Sequence, residues 1–394
     1  MSKSVLKLDD FGRGIIKEDG KIIFIPFATV GDEIEYIIEK DYKNYSEGKL
    51  TNIINKSPYR VDAPCPFFGK CGGCSIENIS YDNGLNFKSE NVITEYLKNG
   101  IKIDPEIIKN ENYFSYRNKI TLKINNKIIG FYENNSNSIV EVDKCIIASE
   151  AINRVFDFVK SIGIINGEVT IRSNYNNEVL IIIDTKDNIK VINIPSYVVG
   201  VVINSKCIYG NDYFYDEING IKYKVSYNSF FQVNPFVTSK LFNIINDNIA
   251  VKSKVLDLYC GVGAISLNVA NKAKEVLGIE IVDNAILNAE ENSKLNKIKN
   301  SNFICSDVVK SLSEINNDYD TLILDPPRKG LDKKVINKIL ECSFNKIIYV
   351  SCDYHTQIRD FNLLKEKYDI KKSYIFDMFS FTYHVETVLV LERK

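Results

Sequence analysis

Histidine occurs only twice in the 394 residues, too few for a histidine-built metal site, although His355 or His384 can still orient a neighbouring group. Neither sign of charge is in excess. At a net charge of -1 no global field attracts a polyanion, so any nucleic-acid site has to be a local basic patch. No apolar run is long enough to span a bilayer, and the amino terminus has no apolar stretch of the signal-peptide type. Nine cysteines, an odd number, do not form the pattern of a secreted disulfide framework in a chain this large. A cytoplasmic, monomeric protein with no membrane partner is the expectation. There its cysteines serve as ligands, nucleophiles or core filler. Internal repeats, low-complexity tracts and linkers rich in Pro, Gly and Ser are all absent.

The length leaves room for two or three domains. Residues 1–57 read as short strands, Ser4–Leu8, Lys21–Phe27, Glu33–Lys40 and Lys49–Asn55, broken by turn signals at Asp19-Gly20 and Val30-Gly31-Asp32. That spacing predicts a small β-barrel. Residues 58–225 are expected to form a β-rich central domain. It holds one helix, Ser80–Gly100, with an apolar stripe of Val92, Ile93, Tyr96 and Leu97, which packs on the catalytic domain. Asn125-Asn126 and Asn176-Asn177 suit hairpin tips, since asparagine tolerates the left-handed turn conformation. Residues 226–394 alternate short apolar runs with helical stretches. This pattern predicts a doubly wound α/β sheet of the Rossmann-like class, with its last two strands, Lys371–Phe376 and Glu386–Leu391, as an antiparallel hairpin at the edge.

Three groups of residues carry chemistry. Cys65, Cys71 and Cys74 lie within ten residues, with glycines between them, and Cys145 follows in Glu141-Val-Asp-Lys-Cys145. Four thiolates suit zinc or an iron–sulfur cluster. One tight group plus a distant single cysteine favours the cluster over the paired knuckles of structural zinc. Asp257-Leu-Tyr-Cys-Gly-Val-Gly263 follows a predicted strand and opens a helix, and Glu280 ends the next strand, where a carboxylate can bind a ribose hydroxyl. A dinucleotide would fit both features, but Ser266 stands where the third glycine belongs and no second nucleotide-binding half precedes it. Asp325-Pro-Pro-Arg328 and Ser351-Cys352-Asp353 each close a predicted buried strand, and ligands of open α/β sheets bind at those carboxyl ends.

The sequence resembles the S-adenosylmethionine-dependent RNA uracil-5 methyltransferases along nearly its whole length. The matching stretches are Phe230-Phe-Gln-Val-Asn234, Asp257-Leu-Tyr-Cys-Gly261, Asp325-Pro-Pro-Arg-Lys-Gly330, Tyr349-Val-Ser-Cys-Asp353 and His384-Val-Glu386. The resemblance implies a class I methyltransferase domain, with Gln232, Tyr259, Glu280 and Asp325 on the cofactor. It implies Cys352 as nucleophile and Glu386 as base. It also implies that the first 57 residues are an OB-like TRAM domain that binds RNA. Cys65, Cys71, Cys74 and Cys145 then match the four ligands of a [4Fe–4S] cluster in the branch acting on 23S ribosomal RNA. The chain departs from the family at Ile76-Glu-Asn78, which lacks a common histidine, at Ser380, where proline is usual, and at Ala264, where threonine is common.

The implied chemistry needs these residue types. Carbon 5 of uracil is a poor nucleophile until a thiolate adds to carbon 6, and a base must then take the carbon-5 proton so that the cysteine can leave. The target has to be unpaired or flipped out. Cytosine-5 enzymes would place a cysteine in the Asp325 motif, and amino-nitrogen methyltransferases would place an aromatic after its prolines. Methylation of transfer RNA by the same chemistry is the nearest alternative. The alternative of another class is a non-catalytic iron–sulfur protein that binds RNA, which would leave Cys352, Glu386 and the cofactor motif idle.

Overall fold

In the computed structural model, which describes residues 3–315 and 318–394, the first strands close on themselves. Lys3–Ser4 and Lys7–Leu8 lie two residues apart. They pair antiparallel with Glu33–Asp41 at one end and with Gly14–Glu18 at the other, so the six-stranded sheet becomes a ring. Val5, Ile16, Ile23, Ile25 and Ile34 fill its interior. Gly14–Glu18 was not among the expected strands. Its first three residues are all buried, so the alternation that marks a half-exposed strand is missing.

A seven-stranded sheet follows. It runs in space through Ile139–Glu141, Ile128–Tyr132, Lys119–Asn125, Gly167–Ser173, Val179–Thr185, Val198–Ile203 and Lys206–Gly210. Two short helices, Glu150–Asn153 and Phe156–Ser161, cover one face through Ile152, Phe156 and Val159. Asn126 and Asn177 take positive φ at the hairpin tips where asparagine was expected to do so. The hairpin Tyr213–Ile218/Ile221–Ser226 buries Phe214, Tyr223 and Val225 against helix Pro235–Asp247 and the third sheet.

That third sheet has eight strands in the spatial order Ser301–Cys305, Glu275–Glu280, Lys254–Leu258, Thr321–Leu324, Lys346–Ser351, Glu386–Arg393, Tyr368–Phe376 and Glu106–Ile108. The first five run parallel, and Glu386–Arg393 is antiparallel to both of its neighbours. Helices lie on both faces, so Leu322, Ile323 and Leu324 are all fully buried, as a continuous apolar run requires. The terminal hairpin is not the edge, contrary to expectation. Glu106–Ile108 pairs parallel with Tyr368–Phe376 beyond it, and three residues are too few to show a period. Among the described residues no helix is long and apolar enough to cross a membrane.

Helix Tyr81–Lys98 lies against this sheet through Val92 and Tyr96. Leu97, expected in its apolar stripe, is 64% exposed, and Leu85, Lys88 and Ser89 are buried instead. Lys88 is the reason the stripe is displaced. Its ammonium pairs with Asp377 and donates to the carbonyls of Thr382 and His384 at 3.3 and 3.1 Å. Asp377 also accepts from Tyr81 Oη at 2.7 Å and from Ser380 Oγ at 2.6 Å, and Ser380 takes a further bond from Asn110 Nδ2 at 2.9 Å. The serine that replaces the family's usual proline is therefore built into this knot. Lys88→Met should destabilise the protein by about 3–5 kcal/mol, because it leaves a buried carboxylate without its cation. Urea denaturation checks this, and Lys88→Met/Asp377→Asn should recover part of the loss.

Candidate active site

The parallel strands deliver three of the sequence-predicted residues to one end of the sheet. Asp325 follows Thr321–Leu324, and Cys352 follows Lys346–Ser351 on the next strand. Ser351 is in register with Thr387, so Glu386, at the start of its antiparallel strand, lies beside Cys352. Neighbouring strands are about 4.8 Å apart, which puts the carboxylates and the thiol within reach of one small ring. The junction is fixed from behind. Thr387 Oγ1 lies 3.1 Å from the Ser351 carbonyl and 2.8 Å from Gln357 Oε1, either of which can take its one proton, and Tyr96 Oη donates to the same Gln357 oxygen. Asp353 caps the helix Tyr354–Leu364 by accepting from the amides of His355 and Thr356.

Gln232, Tyr259 and Asp325 line a narrow cleft together with Asp257 and Gly261. Tyr259 sits at φ +66°, a conformation that costs a non-glycine residue about 1–3 kcal/mol and turns its ring toward the cleft wall. Gly261, at φ +54°, has no atom within 4 Å of where a Cβ would stand, which leaves open space beside the backbone. At Gly263 a Cβ would come 3.0 Å from the Phe303 ring, so this glycine lets the helix that follows pack tightly on the neighbouring strand. Glu280 holds the loop: Oε2 accepts from the Gly261 amide at 3.2 Å and Oε1 from the amides of Ile281 and Val282. Asp257 opens the motif and lies at the cleft. Its Oδ2 accepts from Ser266 Oγ at 2.5 Å, while its buried Oδ1 has no partner. Ser266, which breaks the glycine pattern, is thus the partner of that carboxylate.

The electrostatics of this end are unusual. Burial pushes the Asp257 and Asp325 carboxyls up to about 7, and pushes Glu386 well above its ordinary range, with Asp325 adding to the effect and Arg328 opposing it. The Cys352 thiol is raised to about 11 by burial and then by Glu386, while Arg328, within hydrogen-bonding reach of the sulfur, pulls it down. Burial and the cations Arg328 and Lys88 lower His384 to about 4, so its imidazole is neutral at physiological pH.

The other predicted group lines a second cavity. Cys65, Cys71, Cys74 and Cys145 line a single cavity of about 490 Å³ with Glu77, Arg117 and Lys119. None of the four is in a disulfide. The Gly73 amide approaches Cys71 Sγ at 3.4 Å. Glu77 accepts from the Cys65 amide at 2.7 Å and its buried Oε2 has no partner. Among the described residues no three His, Cys, Asp or Glu side chains are grouped as a single metal ion would need.

Residues 182–394 match the profile of the family described as tRNA (Uracil-5-)-methyltransferase. The chain belongs to this RNA uracil-5-methyltransferase family. A Clostridium tetani protein described as an uncharacterized RNA methyltransferase is 34% identical over 96% of this chain and 93% of its own. One from Caldanaerobacter subterraneus is 33% identical over 98% and 97%. The solved tRNA (uracil-54, C5)-methyltransferase of Pyrococcus abyssi, in complex with S-adenosyl-L-homocysteine, superposes with a TM-score of 0.84 at 25% identity over 99% of this chain and 100% of that one. The eight-stranded sheet is accordingly the class I S-adenosylmethionine-dependent fold. The uracil-5-methyltransferase from Pyrococcus abyssi shares the full layout and acts on transfer RNA, so a full-length layout does not by itself separate ribosomal from transfer RNA as substrate.

Proposed function

We propose that this protein methylates carbon 5 of a uridine in RNA through a covalent Cys352 adduct, with Glu386 as the base. The observation that carries the reading is the junction of Cys352, Asp325 and Arg328, just past the carboxyl ends of two parallel strands, with Glu386 at the start of the antiparallel strand beside them. S-adenosylmethionine, when bound, supplies the electrophilic methyl group. The cleft suits it: Gln232, Tyr259, Asp325 and the open face of Gly261 would hold it, and Glu280 would bind a ribose hydroxyl. The Cys352 thiolate adds to carbon 6 of the uracil, and the displaced electron pair makes carbon 5 nucleophilic. Once carbon 5 carries the methyl group, the Glu386 carboxylate takes its proton. The electron pair of that C–H bond restores the ring double bond as the C6–S bond breaks, and Cys352 is released as thiolate.

Residues 1–57 then act as a TRAM-like barrel, 226–394 as the methyltransferase domain, and 58–225 as the central domain, which also lends Glu106–Ile108 and helix Tyr81–Lys98 to the catalytic sheet. We favour 23S ribosomal RNA as substrate, because a barrel beside a strand-rich domain offers an extended surface to its many loops. Transfer RNA is the second reading, supported by the Pyrococcus abyssi relative. Deleting the gene and mapping 5-methyluridine in each RNA separately tests both. Loss from 23S ribosomal RNA alone is the expected result.

The cysteine cavity suits a [4Fe–4S] cluster by its donor set, since four thiols line it and the Gly73 amide is aimed at Cys71 Sγ. Cys65, Cys71, Cys74 and Cys145 would hold it as a structural centre, since the uracil chemistry needs no electrons. Anaerobically purified protein should be brown and carry iron and sulfide near four per chain, as four-thiolate clusters do. Zinc in their place would overturn the assignment. Cys65→Ser should lower the thermal midpoint more than the methylation rate of the protein that remains folded.

A further inference from the structure

Gln232 reaches the cofactor cleft from a connection, not from the end of a strand. Residues 227–234 join the strand Ile221–Ser226 to the helix Pro235–Asp247 and hold no regular element of their own. Such a segment has no ladder to fix its shape, so its backbone polar groups need partners elsewhere. Apolar packing anchors one point of it. Phe231 is buried against Tyr223, with ring centroids 5.4 Å apart, while Phe230 is 69% exposed.

The central sheet supplies partners at both ends of the segment. Arg172, in Gly167–Ser173, is 3% exposed, and its Nη1 donates to the carbonyls of Ser229 at 2.8 Å and Ser226 at 3.3 Å. Lys119 pairs with Arg172 on the neighbouring strand, and Asn118 precedes Lys119. The Asn118 amide donates to the Val233 carbonyl at 2.9 Å, and its Nδ2 donates to the Gln232 carbonyl at 3.2 Å. Asn118 is itself pinned, because its carbonyl accepts from the Ser173 amide at 2.8 Å. From the catalytic side, Asn288 Nδ2 donates to Ser229 Oγ at 2.9 Å and Asn234 Nδ2 to the Met378 carbonyl at 3.1 Å.

Two bonds from one residue to consecutive carbonyls fix two successive peptide planes, and the first of these planes begins at the Cα of Gln232. Its orientation decides where the Gln232 side chain points along the cleft wall. Asn118 does this from outside the cleft, which Gln232, Tyr259 and Asp325 line.

We infer that Asn118 is a positioning residue, which holds the Gln232 backbone so that the Gln232 side chain meets S-adenosylmethionine. The central domain thereby contributes to cofactor affinity without touching the cofactor. The inference rests on the reading of Gln232 as a cofactor contact.

Calorimetric titration of the full chain with S-adenosylhomocysteine tests it. Gln232→Ala should weaken binding about tenfold, the worth of one well-placed hydrogen bond. Asn118→Ala should weaken it about fivefold, with a thermal midpoint near the parent's because the backbone bonds to Val233 and Ser173 survive. Asn118→Asp keeps the shape of the side chain but turns the donor into an acceptor facing the Gln232 carbonyl, and should weaken binding at least as much. In Asn118→Ala/Gln232→Ala the loss should stay at about tenfold, since a residue that acts through Gln232 adds nothing once that side chain is gone, whereas independent effects would multiply to about fiftyfold.

Parent affinity in both Asn118 variants, or multiplied losses in the double variant, overturns the positioning role. If Gln232→Ala is weakened while the Asn118 variants bind as the parent does, only that role fails and Gln232 stands as a cofactor contact. If Gln232→Ala binds as the parent does, the reading of Gln232 fails and takes the role of Asn118 with it.

Discussion

Cys352→Ala should lower methyl transfer to RNA on the order of 10⁴-fold or more while leaving cofactor affinity unchanged, because on the proposed covalent route it removes the thiol that makes carbon 5 nucleophilic. Tritium transfer into RNA measures the first quantity and calorimetry with S-adenosylhomocysteine the second. A variant within tenfold of the parent rate would sink the covalent route. The same thiol sets a pH dependence. Burial holds it near 11 and Arg328 is the group that lowers it, so the thiolate fraction grows as pH rises through neutrality. The single-turnover rate should climb with pH over that range. Arg328→Gln removes the lowering influence and should move the climb to higher pH.

Glu386→Gln should stop the reaction one step later. Addition and methyl transfer need only Cys352, so they continue. The carbon-5 proton then has no acceptor, and turnover falls by roughly 10²–10⁴-fold. A methylated protein–RNA adduct should accumulate as a slow band on a denaturing gel that contains the label from both partners. RNA binding without any such band would pass the base role to another residue. Burial and Asp325 raise Glu386 well above its usual range, which disfavours its carboxylate form as pH falls. Adduct resolution in the parent should therefore also quicken as pH rises, and this limb should be absent from the variant.

The parts of this protein that were legible in its sequence are those where one physical demand governs a whole segment. Thr321–Leu324 is buried on both faces, so it is apolar throughout and reads at once as a parallel strand. Asn126 and Asn177 were readable because few residues accept their backbone angles. The positions of Asp325, Cys352 and Glu386 followed from motifs at strand ends. What stayed hidden depends on partners distant in sequence. Lys88 looks like a surface lysine until Asp377, 289 residues later, meets it. Asp257 looks satisfied by its motif until Ser266 is seen to take one oxygen and leave the other unpaired. Phe11 lies far in sequence from Tyr383, and no local pattern records that their rings touch.

Glu106–Ile108 forms the outer edge of the catalytic sheet, and helix Tyr81–Lys98 covers part of one face, yet both are synthesised before the whole seven-stranded sheet. On the ribosome both segments emerge before Tyr368–Phe376, and Glu106–Ile108 must wait for that strand to pair with it. The catalytic unit is therefore discontinuous along the chain, and its closure depends on contacts of very long sequence separation, which slow folding. A fragment begun at residue 226 would expose the Tyr368–Phe376 edge and the surface that Val92 and Tyr96 cover, both invitations to aggregate.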